Sequence, residues 1–83
     1  MSEIRTEIRY FLSRDLGREM TGVDDRESLL ERGVIDSLAV LQLVTFLQER
    51  YGIQVSDDEM MPDNFDSIDA MADFVSAKQQ TRG

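Results

Sequence analysis

From Ser37 to about Tyr51, the residues Val40, Leu43, Val44, Leu47 and Tyr51 recur at helical spacing on one face, with Phe46 at its flank. A stripe of that period suits a helix, not a strand, and has to be buried against other elements. Asp36 stands just before the run, where a carboxylate can accept hydrogen bonds from the free N–H groups of a first turn, and Gly52 ends it. Ile4, Ile8, Phe11 and Leu12 form a second stripe. Ser2 is placed to cap that helix, Glu3 and Glu7 suit its positive end, and Gly17 predicts a stop near residue 16. Ile68, Met71, Ala72 and Val75 form a third stripe, in a helix that begins near Asp66 or Ser67 and frays beyond Lys78.

Shorter pieces lie between these stripes. Ser28-Leu29-Leu30-Glu31 has the form of a capping box and is followed by Gly33, which predicts one helical turn ended by a glycine in the left-handed region. Ser56-Asp57-Asp58-Glu59 is a second capping box, and Pro62 predicts a short helix through Asn64 and Phe65. Ile53-Gln54-Val55 is too brief to make a sheet. Arg18 to Glu27 shows no period and reads as loop, so residues 17–36 form a connection long for a bundle, of the kind that is usually functional or partly disordered. The expected fold is all-α: a four-helix bundle with a short third helix and a long loop after the first. At 83 residues there is room for one hydrophobic core, so 1–83 is expected to be a single domain with its core at about 3–77.

Composition removes several functions. A net charge of −8 and a pI near 4.3 disfavour nucleic acid and anionic membranes as partners. The apolar run from Leu38 stops at Gln42, far short of a membrane span, and the N-terminus has no signal-peptide core, so a soluble cytoplasmic chain is expected. There is no cysteine, histidine or tryptophan, which excludes disulfides, thiolate nucleophiles, cysteine-based zinc sites and a Ser-His-Asp triad. Asp57, Asp58, Glu59, Asp63, Asp66, Asp69 and Asp73 lack the order of a calcium loop; they read as a solvated, self-repelling face, and no metal site is expected. Met60, Met61 and Met71 suit core filling or a pliable pocket for an acyl chain.

Asp36-Ser37-Leu38 at the head of the best helix is where chemistry could reside. A hydroxyl there lies beside unpaired N–H groups and the positive end of the dipole, so a phosphate ester on Ser37 would be well placed. The same residues could simply start the helix. The triplet alone does not decide between the two.

Its surroundings do. Glu31-Arg32-Gly33-Val34-Ile35-Asp36-Ser37-Leu38, the helix that follows, and Pro62-Asp63-Asn64-Phe65-Asp66-Ser67-Ile68 together resemble the acyl carrier protein family, over nearly the whole chain to about Val75. The resemblance implies a four-helix bundle with a short third helix. It also implies 4′-phosphopantetheine attached to Ser37 by a phosphopantetheinyl transferase, with an acyl or aminoacyl group held as a thioester on the arm's thiol. Asp36 matches the aspartate that helps seat the serine and its metal in the transferase complex. Leu38, Leu41, Gln42 and Thr45, with Glu49 beside them, match the face that meets partner enzymes.

The chain departs from the fatty-acid branch in one respect. Carriers of primary fatty-acid synthesis typically show an acidic helix after the serine, whereas Ser37 to Tyr51 holds only Glu49 and Arg50 among charged residues, and Ala39, Val40, Leu41 and Gln42 stand where acids are expected. This resembles the discrete carriers of polyketide, nonribosomal peptide or related antibiotic pathways. The expected role is a stand-alone, monomeric, non-catalytic carrier, loaded by a ligase or acyltransferase and serving a downstream synthase or transferase. A fatty-acid carrier is the alternative within the family. A small acidic adaptor bundle without a prosthetic group is the alternative outside it. A self-contained enzyme fails for want of a base to activate Ser37.

Overall fold

The computed structural model describes residues 2–81, apart from the side chains of Ser2 and Thr81; the capping role expected of Ser2 therefore lies outside the described residues. Four helices carry the fold: α1 (Ser2–Tyr10), α2 (Ser37–Tyr51), α3 (Pro62–Phe65) and α4 (Ile68–Thr81). No strand occurs among the described residues. α1 packs on α4, and α2 packs on both α3 and α4.

The expected stripes meet in one core. Ile8 and Leu12, Leu43 and Leu47, and Ile68, Met71 and Val75 are fully buried, joined by Phe65 from α3 and Leu29 from the long loop. Apolar side chains withdrawn from water at these positions supply the main favourable term in folding. Met71 therefore fills core space, as its stripe position suggests.

Three local features differ from expectation. The first helix does not run evenly to residue 16: Phe11–Asp15 form a π-helical turn, closed by Leu16 N–H donating to the Phe11 carbonyl at 3.1 Å. Phe11 stacks on Phe46 of α2, with ring centroids 4.2 Å apart. The last helix continues to Thr81 instead of fraying beyond Lys78, whose ammonium is 2.8 Å from Glu59. Ala39, which was not part of the expected core stripe and stands where a fatty-acid carrier would show an acid, is fully buried.

The acidic C-terminal half also needs correcting. Asp66 accepts from the Ser28 hydroxyl, Asp69 pairs with Arg5 at 2.6 Å, and Glu59 pairs with Lys78, so these three are cross-links within the bundle. Asp57, Asp58 and Asp63 are exposed. Lys78, followed by the Ser56 N–H, holds the Glu59 carboxyl below its ordinary range.

Residues 17–36 are ordered by contacts at both ends. Arg9 donates to the Val23 carbonyl at 2.8 Å and pairs with Asp25, while the Asp69 N–H donates to the Asp25 carbonyl at 2.9 Å. The turn at 29–33 closes as a Schellman motif: Val34 N–H donates to the Leu29 carbonyl at 2.9 Å and Gly33 N–H to the Leu30 carbonyl at 3.1 Å. Gly33 has φ of 75°, the left-handed conformation expected of it. The second capping box is formed in full between Ser56 and Glu59.

Candidate functional site

Asp36 has an extended backbone, with φ −130° and ψ −172°, and its carboxylate accepts the Ala39 N–H at 2.9 Å. That bond satisfies one of the donors a helix start leaves open and fixes the first turn of α2. Ser37 is the first helical residue and is exposed. Among the described residues, no side chain bonds its hydroxyl, and none supplies a histidine or cysteine that could activate it.

Around Ser37 the surface is apolar. Leu30, Val40, Leu41, Met60 and Pro62 join Ser37 in lining a groove of about 300 Å³. Leu38, at 65% exposure, and Met61, at 53%, neighbour groove residues in the chain; with Leu30 and Leu41 they are four of the five exposed large hydrophobic side chains among the described residues.

The outward face of α2 is as expected from spacing: Leu38, Leu41, Gln42, Thr45 and Glu49 are all exposed. Leu41 borders two depressions. Besides the groove at Ser37, it lines a wider one of about 480 Å³ with Gln42, Thr45 and Phe46 of α2, with Phe11 from the π turn and with Leu16 directly after it. The contribution of the π turn was not legible in the sequence. Nor were Leu30 and Pro62 as groove walls, whereas Met60 lines the groove as a pocket methionine would.

A family model described as the phosphopantetheine attachment site matches residues 6–75. The chain belongs to the acyl carrier protein family. The protein named probable acyl carrier protein PigG, from Serratia sp., is 29% identical to this carrier over 68 residues, which are 82% of this chain and 78% of the relative. The crystal structure of an acyl carrier protein from Thermotoga maritima at 2.00 Å resolution superposes with a TM-score of 0.77, covering 94% of this carrier and 88% of that chain at 22% identity. That likeness establishes the carrier-protein fold.

Members of the family are non-catalytic carriers, and their prosthetic group is covalently attached 4′-phosphopantetheine. The donor set at the head of α2 fits such a group. It offers an exposed hydroxyl, N–H groups that favour an anionic ester, and an apolar groove beside them. No group of three or more His, Cys, Asp or Glu side chains that could hold a metal occurs among the described residues. No described helix is long and apolar enough to cross a membrane.

Proposed function

We propose that this carrier receives 4′-phosphopantetheine on Ser37 and shuttles an acyl or aminoacyl intermediate between enzymes of secondary metabolism, of the polyketide or nonribosomal peptide type. The observation that carries the reading is the exposed Ser37 at the head of a helix whose outward face shows two exposed leucines and few charges.

In the attachment step, the Ser37 oxygen becomes an ester oxygen of a phosphodiester. Its proton goes to a base of the phosphopantetheinyl transferase, and adenosine 3′,5′-bisphosphate leaves from coenzyme A. The carrier lacks a base for this, so the enzyme supplies it. Asp36 holds the first turn through Ala39 and, beside Ser37, is the residue we assign to seating the serine and the transferase's metal. When bound, the arm supplies a terminal thiol that holds the cargo as a thioester. Leu38, Leu41, Gln42 and Thr45 form the face we assign to the loading ligase or acyltransferase and the downstream synthase. Residues 1–83 act as one carrier domain, monomeric and, with coenzyme A as donor, cytoplasmic.

The two pathway readings differ in how the face of α2 should meet its partners. Electrostatic docking weakens with salt, whereas apolar contact is not screened in that way. The test is the mass of the species that the carrier holds when isolated from its native host. An aminoacyl thioester supports the reading. A ladder of saturated even-chain acyl groups overturns it in favour of primary fatty-acid synthesis.

A further inference from the structure

The groove at Ser37 has two walls that belong to different parts of the chain. Leu30 comes from the long loop, while Met60 comes from the segment leading into α3 and Pro62 is the first residue of that helix. One residue joins these parts. Asp66, directly after α3, accepts the Ser28 hydroxyl through both carboxylate oxygens at 2.8 Å and the Leu30 N–H at 3.2 Å. Its backbone carbonyl accepts the Leu29 N–H at 2.7 Å.

The tie continues toward the serine. The Leu29 carbonyl accepts the Val34 N–H at 2.9 Å and the Ile35 N–H at 3.4 Å, and Ile35 precedes Asp36. Ser28 also accepts the Glu31 N–H at 3.1 Å through its hydroxyl oxygen, so the turn that carries Leu30 is fastened at its start and at its middle. A carboxylate acceptor makes the stronger class of hydrogen bond, and here it spans 38 residues of sequence.

We infer that Asp66 is a positioning residue for modification of Ser37: it holds the Leu30 wall of the groove against the Pro62 wall and so fixes the surface that the transferase recognises. The inference rests on the proposed attachment at Ser37. Asp66 does not touch the reacting oxygen, so its loss acts on recognition, not on the chemical step.

The test follows modification of the full chain by a broad-specificity phosphopantetheinyl transferase with coenzyme A and magnesium, alongside amide hydrogen exchange. Asp66→Ala should raise KM for the carrier about tenfold and change kcat by less than about twofold. The Leu29 and Leu30 amides should exchange faster while those of α1 and α4 keep their protection. Asp66→Asn, whose amide oxygen can still accept from Ser28 and Leu30, should restore both readouts. Should Asp66→Ala fail to fold, Ser28→Ala removes the hydroxyl alone and should raise KM by roughly threefold. An unchanged KM in the folded variant, or an Asp66→Asn as impaired as Asp66→Ala, would overturn the inference alone. A wild-type chain that gains no mass would overturn the Ser37 reading along with it.

Discussion

Glu7 on α1 receives the Arg50 guanidinium at 2.6 Å, joining the first helix to the last turn of α2 across 43 residues of sequence. The Tyr51 hydroxyl donates to the same carboxylate. Arg50 first, then Tyr51, holds the Glu7 carboxyl below its ordinary range, while burial and then Glu7 push the Tyr51 hydroxyl up.

A pH dependence follows from this pair. A carboxyl whose pKa is lower in the folded than in the unfolded state contributes stability that is present above the unfolded value. That stability is lost as pH falls through the folded value. Wild-type protein should therefore exceed Glu7→Gln in Tm at pH 7, and the gap should narrow as the pH falls below the ordinary carboxylate range. Thermal melts of the two proteins as the pH is lowered check it. A gap that does not narrow at all as the pH is lowered would show that the contact does not depend on ionised Glu7.

The burial of Ala39 yields a contrast between adjacent turns of α2. Ala39→Asp puts a carboxylate without a partner into the core and should cost about 3 kcal/mol in a urea melt. Gln42→Glu, on the exposed face, should fall within about 0.5 kcal/mol of wild type. Equal stability of the two variants would contradict the assigned rotation of α2.

Gly33 can be tested through its backbone alone, since a Cβ added there meets no atom within 4 Å. At φ 75° a β-branched residue should cost about 1 kcal/mol or somewhat more, roughly 4–8 °C in Tm for a domain of this size. Gly33→Val should melt lower and be modified more slowly, and Gly33→Asn should lie between it and the parent. A valine variant as stable and as quickly modified as wild type would refute the requirement.

Partner choice should follow apolar contact. With a cognate loading enzyme, Leu41→Asp should raise KM about tenfold at unchanged Tm, since truncated or charged apolar anchors commonly cost more than 1 kcal/mol. Raising salt from low to moderate should change the wild-type KM little. Fatty-acid synthase enzymes should use the wild-type holo-protein poorly, and Gln42→Glu with Thr45→Glu should improve them without touching the core. Efficient service by those enzymes with a steep salt dependence would point to primary metabolism.

Much of this was legible in the chain because strong helical periods, caps and a proline all agreed. Asp36 caps α2, Gly33 and Gly52 take the left-handed region, Ser56 and Glu59 close their box, and Pro62 opens α3. What escaped had physical reasons. The π turn at Phe11–Asp15 adds one residue to a turn, and over so short a stretch its apolar spacing matches an α-helix. Alanine carries too little apolar surface to mark a side, so the burial of Ala39 was invisible to pattern. The pairings of Asp66 with Ser28 and of Arg9 with Asp25 are tertiary, and no local signal announces which acid in a rich acidic segment will find a donor. The same gap hid the groove at Ser37, whose walls come together only when the loop and the approach to α3 are folded.

The central claim is attachment at Ser37. Wild-type chain and Ser37→Ala are each incubated with coenzyme A, magnesium and a broad-specificity phosphopantetheinyl transferase, and intact masses are measured before and after, with peptide mapping of the product. The account predicts one added phosphopantetheine on wild type, located on Ser37, and none on the alanine variant, whose melting curve should match the parent. Undiminished labelling of Ser37→Ala would contradict the assignment, and an unmodified wild-type chain would favour a helical adaptor that works without a prosthetic group.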